Sequence, residues 1–141
     1  KGLTDKSLIA LAGVHEICLR DCLWFTSEGI KALAGVHTIN LSFCRYVTDE
    51  GIKALAGVHT IDLCSTLVTD AGVRALAGVH TIDLSECNVK EDGLIALAGV
   101  HTINLSGCRN TTDKGIKALA GVHTISVAFC DQLTDDGIKA L

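Results

Sequence analysis

No apolar run in the 141 residues approaches the roughly 20 that a helix needs to cross a bilayer, although 48% of the chain is hydrophobic. The opening residues carry no basic-then-apolar leader pattern, and the first residue is Lys1 rather than Met. Surplus positive charge is missing too. Twelve Lys and Arg face 16 Asp and Glu, a net charge of −4. That balance argues against nucleic acid, whose phosphates are bound by a concentrated Lys/Arg surface. Aromatic residues number only five. With 20% charged residues, the composition is that of one folded, soluble domain rather than a disordered chain.

The dominant feature is self-similarity. Ala-Leu-Ala-Gly-Val-His begins at Ala10, Ala32, Ala54, Ala75, Ala96 and Ala118, a period of 21 or 22 residues that covers residues 1–141 as a single domain of six units preceded by a partial one. A unit this short cannot bury its own apolar face and must stack on its neighbours. In the second unit, Thr38 to Leu41 alternates outward Thr38 and Asn40 with inward Ile39 and Leu41, the pattern of a short strand. The stretch Thr48-Asp49-Glu50-Gly51-Ile52-Lys53-Ala54-Leu55-Ala56-Gly57 then predicts a helix of about two turns. Thr48 or Asp49 caps its start, Gly57 ends it, and Ile52 with Leu55 faces the core. Six such strands make one parallel sheet.

This pattern resembles the leucine-rich repeat, with Val or Ile often in place of Leu. Cys at the ninth position followed by Val/Leu-Thr-Asp-x-Gly-Ile resembles the cysteine-containing subclass known from F-box substrate receptors of ubiquitin ligases. The units are a few residues shorter than in that subclass, nearer the length of internalin-type repeats, and no F-box is present. The resemblance implies an α/β leucine-rich-repeat solenoid, a right-handed horseshoe arc with one parallel sheet on the concave face and short helices on the convex face. It further implies a protein-protein interaction module, with substrate recognition in a larger adaptor as one use.

Cys22, Cys44, Cys87, Cys108 and Cys130 share the ninth position, and Thr66 replaces them in the third unit. We read these six as a structural stack beneath the loop leaving each strand, where a small weakly polar group satisfies backbone atoms. Side chains running parallel suit disulfide geometry badly. Reduced thiols are therefore expected, and with them an intracellular setting, cytoplasmic or nuclear. His15, His37, His59, His80, His101 and His123 recur once per unit and predict a row along one sheet edge. Metal sites need ligands converging on a point, which a row does not supply. The expected role is repeated hydrogen bonding, with a milder expectation of pH sensitivity because adjacent imidazoliums repel.

A strictly repeated surface presents rows of one group rather than unlike groups converging in a pocket, so no enzyme and no cofactor are expected. The outward residues Asn40, Asp62, Asp83 and Asn104 predict a mildly acidic binding face suited to a basic segment of a protein partner. The five aromatic residues, Trp24, Phe25, Phe43, Tyr46 and Phe129, all lie between strand and helix. Phe25 matches Val47 and is assigned to the core, while Trp24, Phe43 and Tyr46 are candidate anchors. Both ends fall inside the repeating phase without a polar cap, as in a piece of a longer array or a chain that stacks end to end. A structural or engineered, consensus-like repeat scaffold is thus the alternative to a binding module.

Overall fold

The alternation at Thr38-Ile39-Asn40 is realised in every unit. In a computed structural model describing residues 2–141, six three-residue strands run parallel in the order β1 (Glu16–Cys18), β2 (Thr38–Asn40), β3 (Thr60–Asp62), β4 (Thr81–Asp83), β5 (Thr102–Asn104) and β6 (Thr124–Ser126). The register places Ile17, Ile39, Ile61, Ile82, Ile103 and Ile125 side by side, each one turned inward by the pleat. Pairing continues past the strands, with Leu41 and Phe43 donating their amides to the carbonyls of Asp62 and Cys64, both at 2.8 Å.

Opposite the sheet lie α1 (Asp5–Ile9), α2 (Ser27–Ile30), α3 (Asp49–Lys53), α4 (Asp70–Val73), α5 (Glu91–Ala96), α6 (Asp113–Lys117) and α7 (Asp135–Lys139). These helices are shorter than the sequence pattern predicts. After about one turn the chain tightens to i→i+3 bonding, as in Leu55 N–H to Ile52 C=O at 2.9 Å, and Lys31–Leu33 and Arg74–Leu76 are 3₁₀ turns. Gly57, at φ +88°, then reverses the chain in the left-handed region predicted for the helix end. A second glycine in each unit lies inside the helix. At Gly72 an added Cβ would fall 2.5 Å from Asp49 Oδ1, so adjacent helices approach too closely for any side chain there.

The core is one continuous cluster between the two layers, in which Ile39, Leu41, Ile52 and Leu55 and their counterparts in the inner repeats are buried. Each such side chain removed from water contributes about 1.5–3 kcal/mol. Phe25, Val47, Val68 and Val89 form a buried column that Thr111 continues, fully buried and with its hydroxyl unpaired. The helix starts are tied across repeats by side chains. Asp49 accepts both the amide (2.8 Å) and the hydroxyl (2.6 Å) of Thr69, and Asp5 does the same for Thr26 and Asp113 for Thr134.

Candidate functional site

On the exposed sheet face, the period-2 alternation leaves two side chains per strand. The second of these forms a row, Cys18, Asn40, Asp62, Asp83, Asn104 and Ser126. The row is internally organised. Asn40 Nδ2 donates to Asp62 Oδ2, and Asn104 Nδ2 donates to Asp83 Oδ2, each at 2.9 Å. The remaining oxygens bind backward: Asn40, Asp62, Asp83 and Asn104 each accept the amide two residues on, at 2.8–3.0 Å. Two carboxylates therefore stand on neighbouring strands, about 4.8 Å apart, with an amide turned toward each from outside. Desolvation raises the Asp62 carboxyl above its ordinary range, the neighbouring Asp83 adds to that, and backbone hydrogen bonding to Cys64 opposes it. The row and the threonines beside it line a shallow trough of about 560 Å³ that runs across all six strands.

The four polar residues expected at the binding face are thus brought together. The aromatic candidates lie apart from them on the loop edge. Trp24 is half-buried and packs edge-on against Phe25, with centroids 5.0 Å apart, while Tyr46 is 58% exposed. Phe43 is half-buried with the Arg20 guanidinium 4.8 Å above its ring. Phe129, 80% exposed, and Leu23 and Leu67 are also on this edge, and sequence reasoning did not single them out as contacts. Their signal was positional, since they occupy the variable segment between strand and helix. Asp21, Phe43, Ser65, Glu86 and Phe129 all hold φ between 54° and 63°, a left-handed conformation that the fifth unit fills with Gly107. Non-glycine residues there store strain.

Ninth-position side chains bond to backbone carbonyls. Cys44, Cys87, Cys108 and Cys130 are buried and donate their thiols to the carbonyls of Leu19, Leu63, Leu84 and Leu105 in the preceding repeat, at 3.0–3.1 Å. Thr66 instead donates to Leu63 in its own repeat at 2.8 Å, and Cys22, in the first full unit, is only half-buried. All seven cysteines are free thiols. Burial pushes the Cys44 thiol up to about 11 and that of Cys108 to about 12, against 9.0 ordinarily.

The histidines stack face to face, with centroids 4.5–4.6 Å apart from His15 through His123. His37, His59, His80 and His101 each share a 3.1 Å hydrogen bond between Nδ1 and the hydroxyl of the following threonine. Near-parallel rings direct their lone pairs side by side rather than toward a common point, a poor arrangement for coordinating one ion. Among the described residues no group of three or more His, Cys, Asp or Glu side chains converges as a metal site would require. None of the described helices is long and apolar enough to cross a membrane.

The family model of the leucine-rich repeat matches residues 36–56 and 79–98, the second and fourth units. No curated protein matches the chain.

Proposed function

We propose that the chain, which is similar to the leucine-rich repeat over two of its units and builds a six-stranded parallel sheet backed by short helices, is a non-catalytic module that binds a protein partner across the sheet face and the adjoining loop edge. Repeats of this kind generally mediate protein-protein contacts, and the open trough is the surface on which such a contact forms. The observation that carries the reading is the Asn40–Asp62–Asp83–Asn104 row. Its hydrogen bonds fix two adjacent carboxylates before any partner arrives, so a Lys or Arg side chain would meet a preorganised acceptor. A partner segment with a basic residue at its centre fits this row, with Trp24, Phe43 and Tyr46 contacting the flanks. Buried, weakly acidic thiols accord with an intracellular setting, where substrate recognition within a larger adaptor would be one use of the module.

The test is affinity capture from a cell lysate with the wild-type chain and an Asp62→Lys/Asp83→Lys variant, followed by mass spectrometry. A partner retained by the first and lost by the second is the expected result. The same partners on both would refute the sheet-face assignment. The alternative, a scaffold stacking end to end, draws support from the identical Ala-Leu-Ala-Gly-Val-His blocks, which give every repeat the same face toward its neighbours. Sedimentation velocity separates the two: head-to-tail growth raises the mean mass with concentration, and a binding module stays monodisperse.

A further inference from the structure

The loop edge differs along its length. Over the first three repeats it carries Arg20, Leu23, Phe43, Arg45, Tyr46 and Leu67; beyond them it is mostly polar. Arg20, Asp21, Phe43 and Arg45 line one trough of about 350 Å³. Its backbone is held on several sides. Asp21 donates its amide to Ser42 C=O and Phe43 to Cys64 C=O, both at 2.8 Å, and Cys44 Sγ reaches Leu19 C=O at 3.0 Å. Phe43 adopts φ 63° and Asp21 φ 54°, so both side chains project from a conformation that glycine would occupy without strain.

The cations here are held in no ion pair among the described residues, although Arg20 also acts at longer range on Asp62. Lys31, Lys53, Arg74 and Lys114 each hold a carboxylate within 2.8 Å. Among the described residues, Arg20 and Arg45 form no ion pair. Arg20 lies over the Phe43 ring, 4.8 Å from its centroid, and lines the trough with Arg45. Two guanidiniums at one rigid cleft form a receptor for an oxyanion, and their forked donors match phosphate oxygens. Asp21 subtracts one charge from the site and so opposes the anion that the two arginines attract. Exposed Leu23, Tyr46 and Leu67 supply an apolar rim for the residues beside that anion.

We propose that the Arg20–Phe43–Arg45 trough binds a phosphate monoester on a side chain of the partner, making the loop edge a reader of phosphorylated segments. The inference rests on the loop edge being part of the partner-binding surface proposed above. It also complements the acidic row: a basic residue meets Asp62 and Asp83, and a phosphorylated one meets the arginines.

The experiment is an NMR titration at fixed ionic strength, following the arginine Nε–Hε signals of the full chain. The probes are a phosphoserine peptide flanked by leucines, its glutamate and serine counterparts, and inorganic phosphate. The phosphopeptide is expected to shift Arg20 and Arg45 together and saturably, leaving Arg74 and Arg109 unmoved. Arg20→Gln and Arg45→Gln should each weaken binding about fivefold, the scale of one partly exposed charge-assisted contact. Asp21→Asn should tighten it. Circular dichroism of each variant establishes that the fold is kept. Equal, unsaturated shifts at all four arginines would overturn the proposal. So would a glutamate peptide, or free phosphate, binding as tightly as the phosphopeptide. If the arginine variants leave phosphopeptide binding unchanged while Asp62→Lys/Asp83→Lys still releases the captured partner, the phosphate site falls and the binding module stands.

Discussion

Thr111→Val should stabilise the protein. Thr111 is fully buried in the column of Phe25, Val47, Val68 and Val89, and its Oγ1 is the one buried side-chain polar atom without a hydrogen-bond partner among the described residues. Valine has nearly the same shape and branching, so the replacement exchanges the hydroxyl for a methyl without opening a cavity. Leaving a buried donor and acceptor unmatched costs about 1–3 kcal/mol, and the substitution recovers most of that. For 141 residues, an unfolding entropy near about 2.1 cal/mol/K per residue converts about 1–2 kcal/mol into a Tm rise of about 3–7 °C. Urea unfolding followed by circular dichroism should show a higher midpoint with an unchanged slope. An unchanged or lower midpoint would show that the hydroxyl is satisfied in solution, and the reasoning from this column would fail. Thr111→Ala sharpens the comparison, because it also removes the hydroxyl yet loses packing and should destabilise.

Gly72→Ala should cost at least about 2 kcal/mol, since its Cβ would meet Asp49 Oδ1 at 2.5 Å and displace the staple to Thr69, a loss readable in the same urea assay. Thiol titration at pH 8 should label exposed Cys18 quickly, half-buried Cys22 and Cys64 next, and Cys44, Cys87, Cys108 and Cys130 only on unfolding, because burial raises the last four. For His59 and His101, desolvation first and neighbouring imidazoles second hold the pKa below the ordinary 6.5. The unfolded chain therefore binds more protons, so their contribution is complete above about pH 6.5 and is lost as pH falls through the folded values. Thermal melts from pH 7.5 to 5 should show falling Tm, with a shallower slope in His59→Gln/His101→Gln; a flat wild-type profile would refute the coupling.

Periodicity made most of the fold readable before any coordinates. Ile39, Leu41, Ile52 and Leu55 were assigned inward by a pattern with one solution, because a shift by one residue would expose every apolar side chain of the strand. Helix length was not legible, since the 3₁₀ tightening after Ile52 follows from fitting each helix against its neighbours rather than from local propensity. Asn40, Asp62, Asp83 and Asn104 could be placed on one face, but their mutual hydrogen bonds depend on which rotamer each selects beside the next strand. Trp24 and Tyr46 sit in the same segment of their units, yet one packs on Phe25 and the other points to solvent. Their fates depend on neighbours that sequence spacing does not encode.

The side-chain staples between repeats are unequal, and a linear stack is only as cohesive as its weakest joint. Asp5, Asp49 and Asp113 each take two bonds from the next threonine; Ser27 serves Thr48 with a neutral hydroxyl, and Asp70 reaches only the amide of Lys90. At the fifth joint Glu91 turns to Lys114 instead, so among the described residues no carboxylate caps Thr112, directly after the unsatisfied Thr111. In an array whose cohesion is a sum of nearest-neighbour couplings, two deficits at one place mark a fault line. Pulled from its two ends, the solenoid would part there first, between β4 and β5, releasing the last two repeats as a unit and separating Asn104 from Asp83 in the acidic row.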